Sequence, residues 1–163
     1  MARMLQCALT LTADMDPDAR RIEEIYKDYL ACLNLQDWHD LGRFVTEGVC
    51  HNGRAFGLAG YRRMLEGDFR AIPDLRFQAM LIAATPPVLA CRLAFDCTPV
   101  GDLFGMPVNG RRIRFDEHAF YRFENGRIAE VWSIIDQAAI ARPSWSKRWI
   151  LAASKLANTV SSG

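Results

Sequence analysis

The sequence of 163 residues has no pair of closely spaced cysteines, although it contains five: Cys7, Cys32, Cys50, Cys91 and Cys97. Zinc ribbons and thiol–disulfide redox motifs need such pairs, so neither class is indicated. The three histidines are dispersed and lack the HxH or HExxH spacing of a metal site. The chain also has no GxGxxG or Walker loop, and we therefore expect no metal and no cofactor.

An excess of one charge and a long hydrophobic run are missing as well. Twenty basic and nineteen acidic side chains leave a net charge of +1, which argues against a nucleic-acid partner, because a phosphate-binding surface would be basic. No apolar stretch approaches the roughly 20 residues that cross a bilayer, so we expect no membrane span. The scattered cysteines lie among apolar residues, which is typical of buried thiols in a reducing compartment, and we predict a cytoplasmic protein.

The length is typical of one domain. We predict an N-terminal arm over residues 1–15, a single domain over 16–142 and a partly helical tail over 143–163. Asp16-Pro17 marks the start of the first helix, because aspartate is a good helix cap and proline is favoured at the first helical position.

The spacing of apolar residues changes from helical to strand-like after Pro73. Before it, helices are predicted over residues 17–33, 38–45 and 57–69, with a strand-like piece at 48–51. After it, four antiparallel strands are predicted over residues 75–82, 88–97, 111–123 and 127–136. The last two are joined by an Asn125-Gly126 hairpin turn. Helices on one face of such a sheet form an α+β architecture, and a twisted sheet leaves a conical, mostly apolar pocket.

Five stretches of the sequence match the pattern of a known family, in the order in which that family has them. They are Ile25–Leu30, His51–Arg54 with Gly57, Ile72–Phe77, Gly105–Arg112 and Phe120–Trp132. Together they resemble the SnoaL-like polyketide cyclases, within the NTF2-like, ketosteroid-isomerase-like superfamily. The resemblance implies an NTF2-like conical barrel, in which N-terminal helices pack on a strongly twisted antiparallel sheet. It also implies a cofactor-independent enzyme that closes a ring in a polyketide-type ester by intramolecular aldol addition.

The same resemblance implies two catalytic residues. In the family an acidic residue at the end of the last strand is the acid/base catalyst, and the matching position is Asp136. Homologues use a pocket histidine on the preceding strand, where His118 is the one histidine. The alternative for Asp136 is a carboxylate that caps the next helix, since Gln137 begins a helix-like stretch.

Strand parity gives a different partner for Asp136. A two-residue turn pairs Phe123 with Ile128, and the same register continued places Glu117 and Trp132 on the Asp136 face. His118 then lies on the opposite face. Either a β-bulge changes the direction of one side chain, or Glu117 is the closer partner of Asp136. Two neighbouring carboxylates would raise the pKa of one of them.

Three further residues are candidates for substrate binding. His51 and Asn52 end a strand near the expected pocket mouth, where Asn52 would orient a substrate carbonyl and His51 would shuttle a proton. The alternative for Asn52 is a turn residue before Gly53. Tyr29 either belongs to the core or presents its hydroxyl to the pocket.

We therefore predict a cyclase or isomerase of secondary metabolism that acts on a hydrophobic, enolisable polyketide- or terpenoid-type intermediate. A hydrolase or dehydratase on the same fold and a non-catalytic ligand-binding module are the alternatives. We also predict a homodimer, because one sheet face is half apolar. That face is predicted to carry Arg114, Asp116, Arg122, Arg127, Phe120, Val131 and Ile135.

Overall fold

The computed structural model describes residues 16–141, and it confirms the predicted α+β architecture. The helices are α1 (Pro17–Leu35), a one-turn 3-10 helix (Asp40–Arg43), α2 (Gly57–Ala71) and α3 (Gln137–Ala141). The strands are β1 (Val45–His51), β2 (Arg54–Ala55), β3 (Gln78–Thr85), β4 (Val88–Cys97), β5 (Asp102–Leu103), β6 (Met106–Pro107), β7 (Ile113–Glu124) and β8 (Arg127–Ile135). The predicted N-terminal arm and C-terminal tail lie outside the described residues.

Helix α1 begins as predicted. The Asp16 carboxylate accepts a hydrogen bond from the backbone N–H of Asp18 at 3.1 Å, and Pro17 takes the first helical position. The helix ends where Gln36 adopts a left-handed backbone conformation, with φ of 53°. Among the described residues, no helix has both the length and the apolar character needed to cross a membrane.

The helix predicted over residues 38–45 is wrong at its C-terminal end. Only one 3-10 turn forms, and Val45 is the first residue of β1. Val45 is β-branched and fully buried opposite Ile128 of β8. Pairing with another strand therefore overrides the local helical spacing.

The main sheet has six strands in the order β2-β1-β8-β7-β4-β3. Its antiparallel part, β3-β4-β7-β8, confirms the predicted meander of four strands. Strand β1 adds to this meander in parallel with β8, an arrangement that strand periodicity does not predict. Over residues 16–141 the sheet stays open, with β2 and β3 at its edges, so the expected conical barrel is here a curved open sheet.

A β-bulge at Ala129 reverses the predicted faces of β8. Phe123 pairs with Ile128 as predicted, but Arg122 then pairs with Glu130, so Ala129 has no partner of its own. Beyond the bulge, Val131, Ser133 and Ile135 face the helices. The predictions that Trp132 shares the cavity face with Glu117, and that Val131 and Ile135 lie on the outer face, are therefore wrong. One extra residue in a strand exchanges its two faces.

The hydrophobic core lies between the concave face of the sheet and helices α1 and α2. Its fully buried members include Tyr26, Leu33, Val49, Leu93 and Ile128. Cys32, Cys91 and Cys97 are buried, and with Cys50 they carry free thiols. This layer encloses the space in which the candidate site lies.

Candidate active site

A cavity of about 270 Å³ lies between helix α2 and the concave face of the sheet. Most of its wall is apolar. Its lining residues are Tyr29, His51, Tyr61, Met64, Leu65, Asp68, Ile72, Leu75, Phe77, Phe95, Leu103, Phe104, Phe115, Glu117, Tyr121, Val131, Ser133 and Ile135. A mostly apolar cavity with a few convergent polar groups is typical of a small-molecule site.

Glu117 supplies a carboxylate to the sheet wall of this cavity. It lies on β7 opposite Ile135, on the face that also carries Phe115 and Tyr121. Burial raises the pKa of Glu117 above its ordinary value, and a hydrogen bond with the Ser133 side chain offsets part of that rise. A carboxylate in such surroundings is a stronger base than one in water.

Ser133 connects Glu117 to His51. The Ser133 Oγ atom lies 3.3 Å from Nε2 of His51, and the parallel pairing of β1 with β8 brings these residues together. The His51 ring also lies 6.2 Å from the ring of Tyr61. Burial lowers the pKa of His51, so its imidazole is mostly neutral near pH 7 and can accept or donate a proton.

Two tyrosine hydroxyls meet on the helical side of the cavity. The Oη atoms of Tyr29, from α1, and Tyr61, from α2, are 2.8 Å apart. Burial raises the pKa of both tyrosines, and it does the same for Tyr121 on the opposite wall. All three hydroxyls therefore keep their protons at neutral pH and can donate hydrogen bonds.

A second carboxylate, that of Asp68, lies at the rim of the cavity on α2. Its side chain keeps access to solvent. Desolvation by neighbouring protein atoms and, to a lesser extent, the negative charge of Glu117 raise the pKa of Asp68 to about 6. The two carboxylates are therefore near enough to influence each other.

The position matched to the family catalyst, Asp136, lies outside this cavity. Asp136 is exposed, and its Oδ1 atom accepts a hydrogen bond from the backbone N–H of Ala139 at 3.0 Å. Its own backbone N–H donates to the carbonyl of Asp116. The carboxylate thus caps α3, which is the alternative that the helix-like stretch after it indicated.

The cavity contains some of the other predicted site residues and not the rest. Tyr29, His51 and Glu117 line it, whereas His118 and Trp132 are exposed on the outer face of the sheet. Asn52 adopts φ of 47° in the turn after β1. Its amide accepts from Ser133 N at 2.9 Å and donates to Ser133 O at 3.2 Å. These two bonds hold the turn on β8 and occupy the groups that would orient a substrate carbonyl.

Sequence reasoning missed Asp68, Tyr61, Tyr121 and Ser133. A signal for Asp68 was present, because it follows Tyr61 and Leu65 at helical spacing and so lies on the apolar stripe of α2. Ser133 could not be found, since only the bulge at Ala129 directs it inward. In the described part of the chain, no three His, Cys, Asp or Glu side chains converge to hold a metal ion.

Known proteins with this fold are similar to the chain over most of its length. The sequence model of the SnoaL-like polyketide cyclase family matches residues 23–143. A SnoaL-like polyketide cyclase from Agrobacterium tumefaciens is 52% identical, with a TM-score of 0.72 over 73% of this chain and 94% of that one. None of the curated proteins matches the chain.

More distant structures share the fold alone. IdmH from Streptomyces antibioticus, a candidate polyketide cyclase, is 18% identical, with a TM-score of 0.64 over 72% of this chain and 94% of that one. AclR from Streptomyces galilaeus, a candidate hydroxylase, is 21% identical, with a TM-score of 0.63 over 75% of this chain and 93% of that one. The family match and the relative with 52% identity show that the chain belongs to the SnoaL-like polyketide cyclase family.

Proposed function

We propose that the protein is a cofactor-independent cyclase or isomerase that acts on a hydrophobic, enolisable polyketide- or terpenoid-type intermediate. We propose Glu117, rather than Asp136, as its acid/base catalyst. The observation that supports this choice is the Glu117 carboxylate on the wall of an apolar cavity, bonded to Ser133, with a pKa raised by burial. Family membership supports the reaction class.

The proposed reaction starts with proton transfer to Glu117. Its carboxylate takes a proton from a carbon flanked by carbonyl groups, and the electrons of the C–H bond form an enolate. The enolate carbon attacks a second carbonyl in the same molecule, so that a C–C bond forms and the attacked oxygen becomes an alkoxide. Protonated Glu117 then returns the proton to that oxygen, and the mass of the molecule does not change.

The tyrosine hydroxyls are suited to stabilise the negative oxygen. Only one proton is needed for the 2.8 Å contact between Tyr29 and Tyr61, so the other hydroxyl proton is available to the substrate. Such a donor, fixed before the reaction, stabilises charge that develops on oxygen. Ser133 and His51 extend from Glu117 and offer a path for exchanging its proton.

The test compares two carboxylate variants on a panel of β-keto esters that carry a second, internal carbonyl. We expect Glu117→Gln to lower the cyclisation rate by at least about a hundredfold, because it removes the general base. Asp136→Asn, which keeps the helix cap, is the matched control and should retain most of the rate. Product is measured by liquid chromatography and mass spectrometry at unchanged mass. Full activity in Glu117→Gln would overturn the proposal.

A hydrolase or dehydratase is the second candidate, and the contact between Ser133 and His51 favours it, because this polar pair could hold a water molecule. The mass of the product separates the candidates, since dehydration removes one water and hydrolysis adds one. If the compounds of the panel bind but are not converted, and Glu117→Gln does not change their binding, a non-catalytic ligand-binding module is favoured instead.

A further inference from the structure

The cavity has an unbalanced charge. Its lining includes two carboxylates, Asp68 and Glu117, and no lysine or arginine among the described residues. The acids of the outer sheet face differ, because arginines pair with them: Arg92 lies 2.6 Å from Asp116, and Arg112 lies 2.6 Å from Asp96. Nothing comparable pairs with the two cavity carboxylates over residues 16–141.

His51 does not supply the missing positive charge. Its imidazole is the one basic group in the described lining, and burial lowers its pKa, so it is mostly neutral at about pH 7 and above. The other polar groups of the lining are the Ser133 hydroxyl and tyrosine hydroxyls, which are uncharged. A ligand therefore meets a negative potential in this cavity.

Aromatic rings form much of the remaining wall. Tyr29 and Tyr61 line the helical side, and Phe95, Phe115 and Tyr121 line the sheet side. Phe95 and Phe115 stack with their ring centroids 4.9 Å apart. The face of an aromatic ring attracts a cation, and this attraction is stronger when the site excludes water.

We propose that the ligand of this cavity carries a cationic nitrogen, an ammonium or iminium group, which binds among the aromatic rings between Asp68 and Glu117. The proposal names the substrate class of the proposed active site. It rests on the proposed function in one respect, namely that the reaction and the ligand are assigned to the same cavity. A cationic substrate also removes a difficulty in the chemistry. The enolate would form in a cavity that the Asp68 carboxylate also lines, and a positive charge in the same molecule would stabilise it.

Binding of three ligands of matched shape to the full chain tests the charge preference. The ligands are the trimethylammonium derivative of tyramine, the neutral isostere in which carbon replaces nitrogen, and the corresponding carboxylate anion. Calorimetry is run at about pH 8, which lies above the pKa of Asp68, about 6. We expect the cation to bind roughly tenfold more tightly than the neutral isostere and the anion to bind most weakly.

A pair of variants on α2 locates the effect. Asp68→Asn removes a cavity charge and should lower the preference for the cation severalfold. Glu66→Gln removes a charge two residues away that pairs with Arg62 outside the cavity, and it should leave the preference unchanged. Equal affinity for cation and isostere, tighter binding of the anion, no binding of the cation at millimolar concentration, or no effect of Asp68→Asn would each overturn the proposal.

These outcomes are independent of the test of the proposed function, because binding is measured without turnover. Cyclisation that depends on Glu117, together with no preference for the cation, would leave the proposed function standing and remove the substrate class. A preference for the cation without turnover of any ester would leave the ligand class standing and remove the proposed function.

Discussion

Glu117 lies on β7 and Asp136 directly follows β8, and their surroundings give the two carboxylates different chemistry. Glu117 faces the cavity, where desolvation favours its protonated form. Asp136 is exposed at the end of β8, where it accepts a hydrogen bond from the first turn of α3. The position that resembles the family catalyst therefore stabilises a helix, and the candidate base comes from the neighbouring strand.

Replacing Asp136 should affect stability more than activity. We expect Asp136→Ala to lower the free energy of unfolding by about 1 kcal/mol, because the N–H of Ala139 loses its acceptor. Asp136→Asn keeps an acceptor at the same place and should remain close to the original protein. Urea unfolding at pH 7 measures both. A large loss of activity in Asp136→Asn would contradict this assignment.

The pKa of Glu117 predicts how its replacement changes stability with pH. Burial raises the pKa in the folded state, so the folded protein holds the Glu117 proton to higher pH than the unfolded chain does. The contribution of Glu117 to the free energy of unfolding therefore falls as pH rises above its ordinary value of 4.5. We expect Glu117→Gln to be more stable than the original protein at about pH 8 and nearly equal to it at about pH 4.

Chemical denaturation at the two pH values measures this difference. Glu66→Gln is the control, because Glu66 forms an exposed ion pair with Arg62 and should show no gain at high pH. An equal effect of Glu117→Gln at both pH values would mean that its carboxylate is not desolvated.

At the scale of elements, apolar spacing predicts most of the fold and fails where one strand depends on another. The limits of β4 are predicted to the residue, and those of α2 to within two residues. The extension of β1 back to Val45 is missed, because its partner Ile128 lies more than eighty residues away. The resemblance to the family predicts the architecture that spacing alone leaves open.

The candidate site was predicted less well, because it depends on the bulge at Ala129. No residue near Ala129 marks a bulge: the Asn125-Gly126 turn predicts a regular two-residue hairpin, and the first pair beyond it forms as expected. The extra residue then moves Ser133 into the cavity and Trp132 out of it. The side of β7 on which Glu117 lies agrees with the strand parity, since β7 continues without interruption through its pairing with β4.

Asn52 links the turn after β1 to the strand that carries Ser133. We expect Asn52→Gly to destabilise the protein by about 1 kcal/mol, because glycine tolerates the positive φ but removes both hydrogen bonds to Ser133. It should also reduce activity, since these bonds fix the backbone of Ser133. Thermal unfolding and the cyclisation assay measure the two effects.

The matched control is Asn125→Gly, in the turn between β7 and β8. Asn125 has a positive φ similar to that of Asn52, 49° against 47°, but it lies away from the lining of the cavity. Equal effects of the two variants would mean that the turn conformation, and not the link to Ser133, accounts for the loss.

For the whole molecule, we expect a homodimer formed through the outer face of the sheet. Exposed apolar side chains on this face include Phe120, Trp132 and Ile134, with exposed fractions of 52%, 38% and 75%. Ion pairs such as Arg92–Asp116 lie among them. Apolar groups interleaved with charged pairs are typical of a surface that associates with a second copy.

Light scattering over a dilution series tests this expectation. The mass should be that of two chains, and Ile134→Lys should shift it toward one, because the new charge would be buried at the interface. Leu35→Lys is the control, since Leu35 is 79% exposed at the end of α1, which is not part of the outer face of the sheet. A single-chain mass at all concentrations would contradict the dimer.

The parallel pairing of β1 with β8 has a consequence for how the protein is made. His51 and Ser133 are 82 residues apart in the chain, and contacts of such high sequence separation form late, because the entropy of closing the loop is lost before the contacts are gained. During synthesis, a nascent chain that has not reached β8 carries Glu117 and His51 but not the strand between them. We therefore expect the cavity wall to be completed among the last steps of folding, so that the growing chain lacks the candidate site before then.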